Sequence, residues 1–269
     1  MSLSWRDQLT AFVAPGAVRV EVRSRGWWPR RGRAVPSSSE TMPAVAPDPE
    51  GGEWTTLGSQ LAEALQAQAG RPVDIAVVLS NHFVRYAVVD NASQLRGPSE
   101  RAIAAAQALR AVHGSASDAW QVVMDDAAAG AALVAGVPRA LVDTLHATCR
   151  AAGARRVSIE PLLARSLNDA RADIDASTGW VGVVEQGRLV LASIGDDAVT
   201  AVRSQRLLHD PATEVAALVQ RARLLDGTPA VRTTVLLASE RPLDVAFPPE
   251  SGLELRATPL PGGAQAEAA

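Results

Sequence analysis

Residues 74–79 read Asp-Ile-Ala-Val-Val-Leu, an almost unbroken apolar run containing β-branched side chains. A run this short cannot fill a helix face, and its lack of alternation marks a strand covered on both sides. A chain that buries both faces of a strand must supply helices or a second sheet to cover it. The neighbouring sequence offers helices. Before the run, Leu57, Leu61 and Leu65 recur every four residues ahead of Gly70, one face of a helix closed by glycine. After it, Pro98-Ser99-Glu100 opens a helix that runs to His113-Gly114. The chain is therefore expected to be α/β.

Other elements follow from local chemistry. Two runs rich in Val and Phe flank Ala14-Pro15-Gly16, so Thr10 to Arg23 is expected to form a tight hairpin, with a third strand over 26–35. Ser, Pro, Glu and Gly crowd residues 36–52 without an apolar period, which predicts a mobile loop. Phe83 to Val89 is expected to return beside Asp74–Leu79 as a hairpin after the polar Ser80-Asn81-His82 break. Short strands are expected at Trp120–Met124, Ala131–Ala135 and Val157–Ile159. Helices are expected from Pro138, with Leu141, Leu145 and Cys149 on one face, and from Pro161 to about Arg171. A three-stranded meander follows at Trp180–Val184, Leu189–Ile194 and Val199–Arg203. Val215, Leu218, Val219, Ala222 and Leu225 mark a helix stopped at Asp226-Gly227, and strands are expected at Thr233–Leu237 and Gly252–Thr258. Residues 259–269 have nothing to bury and are expected to be disordered.

Composition narrows the chemistry. At 269 residues and 47% hydrophobic content the chain can fill a real core, and its net charge of −3 exerts no general pull on nucleic acid or membrane. Every cationic side chain is arginine, because lysine is absent. That excludes a Walker A lysine, a kinase lysine and Schiff-base chemistry. A single cysteine, Cys149, excludes an internal disulfide and a thiolate metal cage. No segment reaches the roughly 18 apolar residues of a membrane span, and the N-terminus lacks the apolar stretch of an export signal. A reducing, cytoplasmic setting is expected.

Hairpin, strand, helix, strand and helix in the first half, followed by a meander, helix and strand in the second, match the plan of actin-like, ribonuclease-H-related folds. The stretches VDIAVVLSNHFVRYAVVD, GPSERAIAAAQALRAVHG, LVAGVPRALVDTLHATCRAAGARRVSIEP and GWVGVVEQGRLVLASIGDDAVTAVRSQRL strengthen that reading. In this order they resemble the actin-like cytoplasmic proteins of type IV pilus assembly, the PilM type, and the cytoplasmic domain of the type II secretion L protein, the GspL type. The resemblance implies a two-lobed actin-like fold with mixed β-sheets flanked by helices. A first lobe is expected over 1–160, with an inserted subdomain at about 91–135, and a reduced second lobe over 161–258. It also implies a non-catalytic scaffold that holds the cytoplasmic segment of a bitopic inner-membrane assembly protein. Such a scaffold sits in the cytoplasm, peripheral to the inner face of the inner membrane, with oligomers allowed and no nucleic acid involved.

Actin-like nucleotide sites cradle phosphates with backbone N–H groups of two turns that carry an acid and glycine. Here the first turn, Val13-Ala14-Pro15-Gly16-Ala17, has no carboxylate, and its proline lacks a donor. The second, Val184-Glu185-Gln186-Gly187-Arg188, keeps Glu185 and Gly187 but no following hydroxyl residue. The adenosine-side stretch Leu236-Leu237-Ala238-Ser239-Glu240 has no glycine. The expectation is therefore a chain without a cofactor and without catalysis, in which Gly16, Glu185 and Gly187 are remnants. The competing reading is an ATP- and Mg-binding protein that uses Glu185. Partner contact is expected at Asn81, His82, Phe83 and Arg85, beside the Ser80–Arg110 segment.

Three further groups invite chemistry and have plainer readings. Ser80, Asn81 and His82 lack a nucleophile elbow and read as a turn. His146 and Cys149 stand three apart on a helix, but two ligands do not make a metal site, and Cys149 continues a packing stripe. Arg23, Arg25, Arg30, Arg31 and Arg33, interleaved with Trp27 and Trp28, read first as a hairpin with wet arginines and second as a membrane or partner contact. The acid pairs Asp125-Asp126 and Asp196-Asp197 read as solvated turn residues.

Overall fold

The computed structural model describes residues 8–23, 53–66, 73–126, 130–171, 178–227 and 233–260. The third strand expected over 26–35, the loop over 36–52, the Arg/Trp stretch beyond Arg23 and residues 261–269 lie outside the described residues. Of the tail expected to be disordered from 259, Pro259 instead ends the last strand and Leu260 is buried, its N–H donating to the Ser239 carbonyl at 3.2 Å. In chain order the strands are β1 (Gln8–Ala14), β2 (Ala17–Arg23), β3 (Asp74–Leu79), β4 (Arg85–Val89), β5 (Trp120–Met124) and β6 (Ala132–Pro138), then β7 (Arg156–Pro161), β8 (Thr178–Glu185), β9 (Arg188–Gly195), β10 (Ala198–Arg206), β11 (Thr233–Ser239) and β12 (Leu253–Pro259). The helices are α1 (Glu53–Gln66), α2 (Pro98–His113), α3 (Arg139–Ala151), α4 (Leu162–Ala170) and α5 (Pro211–Asp226). They cluster into one unit of residues 1–83 and 137–161 and a second of 84–136 and 162–269.

The first unit is built on a four-stranded sheet in the order β2-β1-β3-β7. β1 and β2 form the expected hairpin, with Ala14 opposite Ala17. β3 lies parallel to β1 on one edge and to β7 on the other. Its run Ile75 to Leu79 is buried throughout, as the unbroken apolar pattern requires. Because both edges of β3 are taken, no edge remains for Phe83–Val89, and the expected hairpin does not form. That segment yields β4, which pairs antiparallel with β6 in the second unit. α1 and α3 approach closely at Gly58, where an added Cβ would stand 2.8 Å from Thr144 Cγ2 and 3.3 Å from Thr148 Oγ1. Leu57, Leu61 and Leu65 on α1 and Leu141, Leu145 and Cys149 on α3 are buried, as their spacing indicated.

The second unit contains a three-stranded sheet, β4-β6-β5, and a five-stranded sheet, β10-β9-β8-β11-β12. The smaller sheet packs on α2 through Ala87, Val134, Ala105 and Leu109. Gly136 is needed at that contact, since a Cβ there would meet Leu109 Cδ1 at 2.7 Å and Trp120 Cε3 at 2.8 Å. The larger sheet is mixed. β8, β9 and β10 form the expected antiparallel meander, and β11 is parallel to both β8 and β12. α5 lays Val215, Leu218, Val219 and Ala222 against Trp180, Val184, Leu189, Leu191, Val235 and Leu237 on one face. The expected stripe ended with Leu225, but that side chain is 69% exposed: the last turn of the helix contributes nothing to this cluster. On the opposite face α4 packs Leu167 and Ala170 on Val181, Leu236 and Ile194.

The start of α5 is set by polar chemistry. Asp210 caps the helix by accepting from the Thr213 N–H at 2.9 Å, and Pro211 follows at the first helical position. Glu214 reaches back to the N–H groups of Leu208 (2.9 Å) and His209 (2.7 Å). Hydrogen bonds from Thr213 hold the Asp210 carboxyl below its usual range, and those from Leu208 and His209 do the same for Glu214.

Candidate functional site

In the first unit, Gly16 occupies the turn between β1 and β2 with φ 69°, a left-handed conformation open to glycine. With Ala14 opposite Ala17, only Pro15 and Gly16 form the turn. Proline at the first position and a positive φ at the second make a type II arrangement. So short a turn leaves few backbone N–H groups to offer an anion, and Pro15 has none. The Ser80 N–H donates to the Val13 carbonyl at 2.9 Å, which brings the Ser80–Phe83 segment to the same end of the sheet as Gly16. Two residue sets that the sequence placed far apart thus meet in one unit.

Within that segment the side chains divide. Asn81 is fully buried and Phe83 is 9% exposed. Phe83 packs edge-on to Trp54 at a centroid separation of 6.0 Å. His82 is half-buried, and its Nδ1 stands 3.2 Å from Ser80 Oγ. Ser80 Oγ also accepts from the His82 backbone N–H at 3.2 Å, the pattern of a hydroxyl-stabilised turn. Of the four residues expected to contact a partner, His82 and Arg85 present surface, whereas Asn81 and Phe83 are largely committed to the interior.

In the second unit, Glu185 and Arg188 face each other across the turn from β8 to β9, and Gly187 has φ 71°. Glu185 is 7% exposed. Its charge acts on the phenol of Tyr86, whose pKa is raised chiefly by burial and secondarily by Glu185. Burial lowers the pKa of both Arg85 and Arg188, and their proximity adds to the effect on Arg188. Arg188 and Arg206 are register partners on β9 and β10, and Arg188 Nη1 donates to Ser204 Oγ at 3.3 Å. Glu185 therefore stands buried beside partly buried arginines. A carboxylate so placed serves the guanidinium groups around it, which weakens its case as a ligand for hydrated Mg²⁺. Sequence reasoning singled out Glu185 and placed Arg188 in the same turn, but missed Tyr86, which comes from β4 by tertiary packing, and Arg206, which strand register sets opposite Arg188.

The remaining candidates resolve simply. Asp125 and Asp126 receive Arg101, whose Nη2 donates to the Asp125 carbonyl at 2.6 Å and lies 3.4 Å from Asp126 Oδ1. Asp196 and Asp197 form the turn between β9 and β10 with φ 50° and 62°, conformations that Asp tolerates better than most side chains. Among the described residues no three His, Cys, Asp or Glu side chains gather to hold a metal. Also among them, no helix is long and apolar enough to cross a membrane.

Cys149 belongs to the α1–α3 packing, with no exposed surface, and burial pushes its thiol pKa up to about 11. The reactive species is the thiolate. Iodoacetamide at pH 8 is expected to leave Cys149 unmodified in the folded protein and to label it fully in 6 M guanidinium, as read by intact mass. Comparable labelling in the two conditions would contradict the packing described.

No family model matches the chain, and no curated protein sequence matches it. Solved structures do. A Bacteroides thetaiotaomicron protein with an actin-like ATPase fold and unknown function aligns with TM-score 0.56 at 7% identity, covering 87% of this chain and 82% of that one. The cytoplasmic domain of EpsL, an inner-membrane component of the Vibrio cholerae type II secretion system, aligns with TM-score 0.52 at 15% identity, covering 94% and 89%. A chain of the PilM–PilN type IV pilus biogenesis complex aligns with TM-score 0.53 at 14% identity, covering 96% and 89%. The chain has the actin-like α/β fold expected from its element order.

Proposed function

We propose that this actin-like chain is a non-catalytic scaffold of a type IV pilus or type II secretion-like assembly, one that binds the cytoplasmic segment of an inner-membrane partner. The observation that carries the reading is the β1–β2 turn: two residues long, begun by Pro15, and lacking any carboxylate. A turn with so few donors is poorly suited to hold a triphosphate and its metal. The similarity in fold to the EpsL cytoplasmic domain and to a chain of the PilM–PilN complex supports an assembly role at the inner face of the inner membrane. His82 and Arg85 are the residues through which this reading assigns partner contact.

The test is recovery of a partner. Affinity-tagged chain purified from detergent-solubilised cells should retain a bitopic inner-membrane assembly protein in near-stoichiometric amount, and Arg85→Glu should reduce that amount several-fold. Recovery of no such protein would count against the scaffold reading.

Glu185 favours a second reading, an ATP-binding protein, since it is a carboxylate beside a glycine turn. Calorimetry with Mg·ATP separates the two. The scaffold reading expects no saturable heat up to millimolar nucleotide. A micromolar isotherm that disappears in Glu185→Ala would establish the alternative.

A further inference from the structure

Alongside α4, the five-stranded sheet leaves a cavity of about 230 Å³ within the second unit. Strand register explains its floor. Val181 on β8 pairs with Leu236 on β11, and Leu236 and Ala238 are two apart and so share a face. Thr258 pairs with Ala238 and continues the wall onto β12. The opposite face, through Val235 and Leu237, is taken by α5. α4 contributes Ser166 and Asp169 to the lining. Ser166 is 4% exposed, and among the described residues its hydroxyl has no hydrogen-bond partner. A sealed hydroxyl without a partner is uncommon in folded proteins and points to a group supplied from outside the chain. The Asp169 side chain is 56% exposed, with Arg165 Nε 3.4 Å from its Oδ2. Among the described residues no arginine or histidine lines the cavity.

We propose that this cavity binds a small molecule with a ring-sized apolar body and a hydrogen-bond-donating head, neutral or singly cationic. The volume exceeds the roughly 150 Å³ that accommodates benzene in an engineered apolar cavity. Val181, Leu236 and Ala238 receive the apolar body. Ser166, Thr258 and Asp169 provide two hydroxyls and a carboxylate for the head, an acceptor-rich set suited to N–H or O–H donors. Carboxylates and phosphates are disfavoured, because among the described residues the lining carries the Asp169 carboxylate, only partly balanced by Arg165 beside it, and no cation of its own. The site is independent of the scaffold reading and lies on the α4 face of the sheet, away from Glu185 and Gly187 in the β8–β9 turn.

The test is an NMR titration of the ¹⁵N-labelled full chain with phenethylamine and, in parallel, with 3-phenylpropionate, which has a similar apolar body and the opposite charge. Phenethylamine should bind with millimolar Kd and shift amides within 166–170, 181–183, 236–238 and 256–258. Phenylpropionate should bind at least tenfold more weakly. Asp169→Asn should weaken the amine about fivefold and Ser166→Ala about threefold, in line with one exposed ion pair and one hydrogen bond. Ala238→Phe, which fills the cavity, should abolish binding. Asp169 is surface-exposed, so its variant folds whether or not Ala238→Phe does. Equal binding of the two probes, shifts elsewhere in the chain, or amine affinity unchanged in both Asp169→Asn and Ser166→Ala would overturn the proposal.

Discussion

Replacing Trp180 by alanine is expected to lower the unfolding free energy by about 3–5 kcal/mol, the largest single effect foreseen for this chain. Trp180 is 1% exposed and leads the fully buried side chains by volume. It belongs to the cluster between α5 and the five-stranded sheet. Its loss leaves a cavity that surrounding leucines cannot fill without leaving their rotamers. Trp180→Phe should behave differently. Among the described residues the indole N–H has no hydrogen-bond partner, and burying it so costs about 1–3 kcal/mol. Phenylalanine removes that penalty while keeping most of the volume, so its net effect should stay within about 1.5 kcal/mol of the parent. Urea denaturation followed by far-ultraviolet circular dichroism measures both. A loss below about 1 kcal/mol in Trp180→Ala would show that the cluster is not packed as described.

The second large effect is expected at the end of α5. Asp226, the last residue of that helix, accepts from both terminal nitrogens of Arg203, with Nη1 at 3.2 Å, and from Ser193 Oγ at 2.7 Å. The two charged side chains are 22% and 17% exposed. A carboxylate at a helix C-terminus opposes the helix dipole, so Asp226 depends on Arg203 for compensation. Arg203→Ala should cost about 2–3 kcal/mol, because it leaves a largely desolvated carboxylate at the negative end of the helix. The double variant Arg203→Met, Asp226→Leu should recover most of that loss. A double-mutant cycle giving a coupling below about 0.5 kcal/mol would contradict a functioning clamp.

Features that depend on a few adjacent residues were legible in the sequence. Pro15-Gly16 located a two-residue turn, Gly187 another, and Asp226-Gly227 ended α5 with Gly227 at φ 63°. The meander and the leucine stripes of α1 and α3 followed from periodicity alone. Features that depend on distant partners were not. Arg85–Val89 has the pattern of a strand, yet nothing local reveals that β1 and β7 already flank β3 and send it to β6. The burial of Asn81 escaped notice for a related reason: a polar residue in a turn signal reads as exposed until the packing around it is known. Arg188 stood in the same turn as Glu185 in the sequence, but Tyr86 and Arg206 gave no signal, because Tyr86 reaches Glu185 from β4 through tertiary packing and Arg206 is brought to Arg188 by the register of β9 and β10. The cavity beside α4 has the same origin, since Val181, Leu236 and Thr258 come from three separate strands.

The parallel placement of β7 on β3 affects how the chain leaves the ribosome. Asp74–Leu79 emerges with one apolar edge that only Arg156–Pro161 will later cover. At 5–20 residues per second, the nascent chain needs about 4–15 s to deliver that strand. Throughout that interval an unpaired hydrophobic edge is available to other chains. Slower elongation prolongs this exposure, so cellular yield of the protein should depend on translation speed and chaperone supply more than its final stability alone would suggest.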